Sequence, residues 1–441
     1  MADRLSPGDA GSGRDGTGDL DLQGAVVQRP RAVDDRLRLR SVRTRKMRGG
    51  AARCGPRGRR PDPMKRIVMF GGGSGSRDIT MALCRQRYEV TRVVPAWDSG
   101  GSSRALRAAL GILAMGDIRQ ALMTMAHGEG RVSSVVRFFN ARLSETSSQP
   151  DLLAEFDFYV SGAHPLLATM EPGIRGAILN YLRVFQSNIA GDFDFCRGSI
   201  GNFVLTGAYF AHGRDINTAI FVFRKLCAID GHVWPSTADD TVELRAVLRD
   251  GQVVRGQERI TDLNAEQAQA GIERVELLHA GDGRPAASRP AANPAVLEAI
   301  GTADLMLFGP GSFYTSTLPH LSVAGIAEAI RAAPPQVPKV FVGNILECPE
   351  TIGGTVAEQV RALLQAGGPG SLTHVLLNRG WVPFERVAKG FRYLHEGVLP
   401  EGGPGLLADD FEDPWHRGRH DAPKVVELLG ELITRSGPAP N

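Results

Sequence analysis

The sequence has few cysteines and no long apolar run. Its five cysteines are far apart, odd in number and never spaced as Cys-x-x-Cys, so they predict neither a disulfide framework nor a zinc site and are typical of a reduced, cytoplasmic protein. The longest apolar runs fall well short of the ~20 residues that cross a bilayer, which argues against a membrane protein. No repeat of fixed period is present, and this excludes solenoid architectures.

The charge is unevenly distributed along the chain. The whole sequence carries a formal net charge of +3 and has 22% charged and 42% hydrophobic residues, values typical of a globular protein. Residues 1–63 hold 15 Lys and Arg residues against 8 Asp and Glu residues, a net charge of +7, which leaves the remainder at −4. A mildly acidic body gives no reason to expect nucleic acid as a partner.

The first 63 residues predict a disordered, arginine-rich arm. They are rich in Gly, Asp and Arg and contain no apolar stretch of the kind that a secretory signal needs. Such an arm could touch RNA or acidic lipid. It could equally be translated upstream sequence with the natural start at Met64. We favour the second interpretation, because Met64 leads directly into an apolar strand and a glycine loop.

From Lys65 onward, strand patterns alternate with helical patterns. Short apolar runs typical of buried parallel strands are each followed by a loop and a helical segment. The runs are Ile67–Phe70, Val90–Ala96, Ala303–Phe308, Val340–Val342 and His374–Leu377. This alternation predicts an α/β fold: a doubly wound, Rossmann-like, mostly parallel sheet with helices on both faces.

The middle of the chain departs from that alternation. It is mostly helical at first, and then Glu243–Arg249 and Val253–Ile260 predict an antiparallel hairpin with Asp-Gly at the turn. We therefore expect a nucleotide-binding domain over residues 64–390, with a helical and β-hairpin lobe inserted at about 131–280. Residues 391–441 are expected to form a C-terminal extension.

A glycine-rich loop, Gly71–Ser76, follows the first predicted strand. Glycines let a backbone turn tightly and approach a ligand, and amides at the start of the following helix point at an anion, most often a phosphate. The loop lacks the Gly-Lys-Ser/Thr of a Walker A motif. A glycine turn without a ligand is the structural alternative. The candidate phosphate contacts are Gly72, Gly73, Ser74 and Gly75.

A second loop of similar composition follows the second predicted strand. It reads Asp-Ser-Gly-Gly-Ser-Ser, and its candidate site residues are Asp98, Gly100, Gly101, Ser102 and Ser103. The carboxyl ends of adjacent parallel strands lie side by side, so both loops are expected to face one crevice. Asp98 could hold Mg²⁺ or a sugar hydroxyl, or it could only cap a helix or turn.

Three further motifs add candidates to the same crevice. Asp117 and Arg119 lie in Gly-Asp-Ile-Arg, where Asp117 taken alone favours a helix cap over a metal ligand. Asn202 precedes an apolar helix in Gly-Ser-Ile-Gly-Asn. Gly311 and Ser312 lie in a Gly/Ser loop after a third strand. Three such loops after three core strands favour a diphosphate-containing ligand, provided that the turns converge at one edge of the sheet.

In order and composition these motifs resemble one family, which contains 2-phospho-L-lactate transferase (CofD) of coenzyme F420 biosynthesis and the gluconeogenesis factor (YvcK), which binds UDP-sugars. The similarity covers about Lys65 to Gly390. The loop sequences are more similar to those of the UDP-sugar-binding branch, although Ser99 stands where that branch has a second Asp. Ser74 replaces the usual Thr. We identify the chain as a divergent, CofD-like member.

The resemblance implies binding of a nucleotide or nucleotide-linked small molecule, of the GTP/GDP or UDP-sugar type. In a transferase, an acceptor hydroxyl would attack the distal phosphorus and a nucleoside monophosphate would leave. Asp98 and Asp117 would be catalytic and hold Mg²⁺, and the other residues named above would bind the nucleotide. The alternatives are a non-catalytic UDP-sugar sensor and, less favoured, an RNA-associated protein acting through its arm. The sequence also leaves open whether the protein forms a homodimer.

Overall fold

The computed structural model describes residues 64–279, 289–379 and 392–436. The arm expected at residues 1–63 lies outside them. Within these ranges the fold is built around one large sheet and one small sheet.

The large sheet has seven strands, and every pairing between neighbours is parallel. Its order is β10-β9-β8-β7-β1-β2-β3. The strands are β1 Arg66–Phe70, β2 Glu89–Val94, β3 His232–Pro235, β7 Leu305–Phe308, β8 Lys339–Val342, β9 His374–Asn378 and β10 Gly405–Asp409. The predicted doubly wound α/β sheet is therefore confirmed.

Helices flank the sheet. They are α1 Arg77–Arg85, α2 Gly101–Leu110, α3 Gly116–Gly128, α4 Ser134–Phe139, α5 Gln149–Ser161, α6 Pro165–Ala168, α7 Pro172–Asn188, α8 Ile200–Ala211, α9 Ile216–Leu226, α10 Gln257–Thr261, α11 Ala265–Ala270, α12 Pro294–Gly301, α13 Ile326–Ala332, α14 Val356–Gly367 and α15 Ala422–Ser436. Helix α1 packs against α3 and α15, whereas α13 packs against α12 and α14. Among the described residues, no helix is long and apolar enough to cross a membrane.

The central strands are apolar because helices cover both faces of the sheet. Ile67, Val68, Met69 and Phe70 of β1 are each no more than 2% exposed, as expected for a strand in the middle of a parallel sheet. This burial holds the loop after β1 rigidly at the edge of the sheet. The same argument applies to β7, whose four residues are all buried.

The small sheet is antiparallel, with the order β5-β4-β6. Its strands are β4 Val242–Leu248, β5 Val253–Arg255 and β6 Ile272–His279, so the hairpin predicted from the sequence is confirmed. The second strand of the hairpin is shorter than predicted. It ends at Arg255, because the left-handed Gly256 (φ 88°) turns the chain into helix α10.

The order of strands creates a switch point between β1 and β7. From β1 the chain moves outward through β2 to β3, and from β7 it moves the opposite way through β8 and β9 to β10. Right-handed crossovers in opposite directions place their helices on opposite faces, which opens a crevice between the carboxyl ends of β1 and β7. The loops Gly71–Ser76 and Gly309–Ser312 leave the sheet there.

Candidate functional site

The loops after β1 and β7 contact each other at the switch point. A Cβ atom built on Gly75 would lie 2.6 Å from the Cα atom of Gly311, and one built on Gly72 would lie 2.9 Å from the hydroxyl of Ser316. Only glycine allows the backbones to come this close. Gly311 also has a φ of 144°, in the region that favours glycine. The two loops therefore form one surface of the crevice.

The loop after β1 has amide groups without protein acceptors. The N–H of Gly73 donates to Asp117 at 2.9 Å. No acceptor within the described residues takes the N–H groups of Gly72, Ser74 or Gly75. Backbone donors are normally satisfied, by protein, water or ligand. This loop is therefore equipped to donate to an anion.

Asp98 lies at the start of the loop after β2 and is tied to its own loop. It accepts hydrogen bonds from the N–H of Gly100 at 3.1 Å and from the hydroxyl of Ser103 at 2.8 Å. Ser103 in turn accepts from the N–H of Gly116, the first residue of α3, at 3.0 Å. Burial raises the pKa of Asp98. The contact with Gly100 is the turn chemistry that we kept as an alternative.

Asp117 lies in the first turn of α3 but does not cap it. Its carboxylate accepts from Gly73 instead, and α3 has no side-chain cap. Burial, together with the charge of Asp98, raises the pKa of Asp117 to about 7. The two carboxylates predicted from the sequence therefore lie close enough to repel each other. Such a pair is favourable for a cation.

Ser102, Arg119 and Asn202 form a buried network behind the loops. The side-chain amide of Asn202 donates to Ser102 at 2.6 Å, and Arg119 Nε donates to the oxygen of Asn202 at 3.2 Å. Asn202 is fully buried. Burial lowers the pKa of Arg119 to about 10. The network joins α2, α3 and α8, so these three residues hold the helices that carry the loops.

Two polar residues fix the loop after β7, and neither was predicted from the sequence. Asn344 accepts from the N–H of Gly311 at 3.0 Å and donates to its carbonyl at 2.7 Å. Glu350 accepts from the N–H of Tyr314 at 2.9 Å and from the hydroxyl of Thr315 at 2.7 Å. Asn344 follows β8 at the carboxyl edge of the sheet, and this position after a predicted strand could have identified it from the sequence. Glu350 stands in no motif.

Arg92 was also missed. It lies in strand β2, whose residues after Glu89 are all buried, and is itself fully buried beneath the glycine loop. Its guanidinium donates to the carbonyl of Gly72 at 2.7 Å and to that of Gly71 at 3.3 Å. A charged residue in the middle of a predicted buried strand was visible in the sequence as an exception.

Two cavities border these loops. One, of about 410 Å³, is lined by Ser74, Gly75, Gln120, Gly311, Asn344 and Arg419, among others. The other, of about 850 Å³, is lined by Gly101 and Arg104 of α2, by Glu258, and by Asp192, Asp194 and Arg197 in the segment before α8. The described residues contain no group of three or more His, Cys, Asp or Glu side chains that could hold a metal. Any metal here would need ligands beyond the two aspartates.

Comparisons with known proteins agree with this architecture. The family model of 2-phospho-L-lactate transferase CofD matches residues 67–398. A gluconeogenesis factor from Bacillus subtilis is 29% identical over 379 residues, covering 83% of this chain and 98% of that protein. A relative from Nostoc is 30% identical over 313 residues, which are 71% of this chain but only 54% of that relative.

A solved structure extends the likeness to three dimensions. The crystal structure of a UPF0052 family protein from Bacillus halodurans covers 83% of this chain and 99% of its own, with 26% sequence identity and a TM-score of 0.60. Together with the order of the loop motifs, the seven-stranded sheet and the match over residues 67–398, this shows that the chain belongs to the CofD family.

Proposed function

We propose that this protein binds a nucleoside-diphosphate conjugate in the crevice between β1 and β7 and transfers its distal phosphoryl-containing group. The observation that carries the proposal is the contact between Gly75 and Gly311, which makes two glycine loops one surface. That surface presents backbone N–H groups that have no acceptor in the part of the chain that the structure describes. Convergent amides at a switch point are a favourable environment for a diphosphate.

The cavity of about 410 Å³ beside these loops is the proposed place for the nucleoside. Its far wall comes from the C-terminal part of the chain. There the buried His420 lies 3.1 Å from the carbonyl of Gly343, and Arg419 lies 3.7 Å from Asp78. Burial lowers the pKa of His420 to about 4, so the ring is neutral near pH 7. The wall therefore offers one exposed cation, Arg419.

The residues present fit a magnesium ion. Mg²⁺ is usually held by one or two carboxylates together with substrate phosphates and water. Asp98 and Asp117 both have raised pKa values, and part of the increase at Asp117 comes from repulsion by Asp98. A divalent cation would relieve that repulsion. When bound, it would neutralise charge on the phosphate oxygens.

The second cavity favours a transferase over a sensor. It borders Gly101, the first residue of α2, which belongs to the same motif as Asp98. An acceptor there would have its hydroxyl near the carboxylates. In the proposed reaction, the acceptor oxygen forms a bond to the distal phosphorus, the phosphoanhydride bond breaks, and nucleoside monophosphate leaves with its electron pair. Asp98 or Asp117 would take the hydroxyl proton.

A non-catalytic sensor of UDP-sugars is the second candidate. Its support is that relatives from Bacillus subtilis and Listeria monocytogenes carry the name gluconeogenesis factor. Both candidates require nucleotide binding, so turnover has to separate them.

The test is incubation with UDP- and GDP-linked donors, a panel of hydroxyl acceptors and Mg²⁺. Release of nucleoside monophosphate that needs Mg²⁺ and is lost in Asp117→Asn supports the transferase. The matched control is Asp230→Asn, because Asp230 lies far along the chain from the loops and its side chain is 82% exposed. Tight binding without turnover on any acceptor supports the sensor. Absence of binding contradicts both.

A further inference from the structure

Arg92 is a buried cation without a contacting carboxylate. It is fully buried in β2. No ion pair joins it to any carboxylate of the described residues, and its Nε atom has no hydrogen-bond partner there. Burying a charge with incomplete pairing costs stability. An apolar side chain at this buried position would make the protein more stable. We therefore expect the charge of Arg92 to serve a function.

The guanidinium reaches both the glycine loop and the start of α1. Nη2 donates to the carbonyl oxygens of Gly72 and Gly71, at 2.7 and 3.3 Å. Nη1 donates to the hydroxyl of Thr80 at 2.7 Å, and Thr80 donates to the carbonyl of Ser76 at 2.8 Å. One planar side chain therefore joins the two sides of the loop. Lysine could not reproduce this fork.

These contacts fix the direction of the loop's N–H groups. In a trans peptide the C=O and N–H of one unit point in opposite directions. The unit between Gly71 and Gly72 turns its oxygen to Arg92, so the Gly72 N–H points away from Arg92. The next unit turns its oxygen to Arg92 as well, and its N–H, that of Gly73, meets Asp117.

We propose that Arg92 is a positioning residue for the diphosphate, and this inference rests on the proposed function. It turns the peptide unit between Gly71 and Gly72 so that the Gly72 amide faces the ligand, and it places a positive charge directly behind that unit. The charge polarises this peptide unit, which would donate to a phosphate. The bound diphosphate would in turn add negative charge to that of Asp117, which already acts on the Arg92 guanidinium without contacting it.

The experiment is calorimetric titration of the full chain with UDP, GDP and inorganic pyrophosphate, each with Mg²⁺. The variants are Arg92→Met, Arg92→Lys and Thr80→Val. The matched control is Arg224→Met, because Arg224 is also a buried arginine but contacts His232 at the amino end of β3, away from the loops. Thermal unfolding without ligand records the loss of stability of each variant.

We expect Arg92→Met to weaken the binding of whichever diphosphates the wild type binds by at least about tenfold, the scale of one charge-assisted hydrogen bond. Arg92→Lys should recover part of this loss, because it restores the charge. Arg224→Met should lower the unfolding temperature while changing affinity less than about threefold. Thr80→Val removes one acceptor of Arg92 and should weaken binding, but less than Arg92→Met does. If Arg92→Met does not fold, Arg92→Gln, which removes the charge but keeps a donor, takes its place.

Two results would overturn the inference. One is diphosphate affinity in the Arg92 variants equal to that of the wild type. The other is an equal loss of affinity in Arg92→Met and Arg224→Met, which would reduce the effect to general destabilisation. A wild type that binds none of the three probes is a different result: the proposed function itself then fails, and the inference fails with it.

Discussion

Replacing Asp117 with asparagine should change how the stability of the ligand-free protein depends on pH. Burial and the charge of Asp98 raise the pKa of Asp117 from 3.8 to about 7 in the folded protein. The folded state therefore binds this proton more tightly than the unfolded chain. The resulting stabilisation is fully present below pH 3.8 and is lost as the pH rises to about 7.

The size of the effect follows from the same values. Across the whole titration, the free energy of unfolding of the wild type should fall by at most about 4 kcal/mol relative to that of Asp117→Asn. This value follows from about 1.4 kcal/mol for each tenfold change in an equilibrium constant. About 2.5 kcal/mol of this falls between pH 5 and pH 8. The full value is an upper limit because Asp117 is partly exposed to solvent.

Urea denaturation followed by tryptophan fluorescence, from pH 5 to pH 8, measures this difference. Titrating groups that do not interact with Asp117 contribute to both proteins and cancel in the comparison. Asp98 does not cancel, because its charge acts on Asp117 and its own titration changes when that carboxyl group is removed. Asp230→Asn serves as the control for the same substitution at an exposed position. A difference between Asp117→Asn and the wild type that stays constant within about 0.5 kcal/mol over this range would refute the reasoning.

Two other substitutions test the loops themselves. Gly75→Ala should separate the two glycine loops, because its Cβ would lie 2.6 Å from the Cα of Gly311, and should cost about 1–3 kcal/mol of stability. It should also abolish the rise in unfolding temperature produced by UDP or GDP. Glu350→Gln should cost about 1.5–3 kcal/mol in urea denaturation, because an amide can accept from only one side while Glu350 accepts from both Tyr314 and Thr315.

Each of these substitutions has a control. Gly191→Ala places its Cβ in open space and should leave both stability and ligand response unchanged. Retention of the ligand response in Gly75→Ala would show that the close approach of the loops is not needed for binding. A Glu350→Gln variant as stable as the wild type would show that the carboxylate does not hold the loop after β7.

The parts of the fold that could be predicted are those where burial dominates. Strands β1 and β7 are continuous apolar runs because helices cover both faces of the sheet, and that pattern is visible without a structure. Strands β3 and β10 were missed. Strand β3 has four residues and ends in proline, and β10 is an edge strand whose residues are only partly buried.

The candidate site was predictable where a motif marks it. The glycine loops and the two aspartates stand in short, recognisable patterns at the ends of predicted strands. Arg92, Asn344 and Glu350 do not, because each acts through partners that are brought to it only by the fold. The partners named above lie between 12 and 36 residues away along the chain. A single sequence gives no means to pair residues over that distance.

The most direct measurement is a crystal structure of the full chain with UDP or GDP and Mg²⁺. We predict that the diphosphate lies within hydrogen-bond distance of the amides of Gly72, Ser74 and Gly75, with the nucleoside in the cavity beside Gly311. Density for a cation is expected between the diphosphate and the carboxylate of Asp117. A diphosphate bound away from both glycine loops would contradict the account.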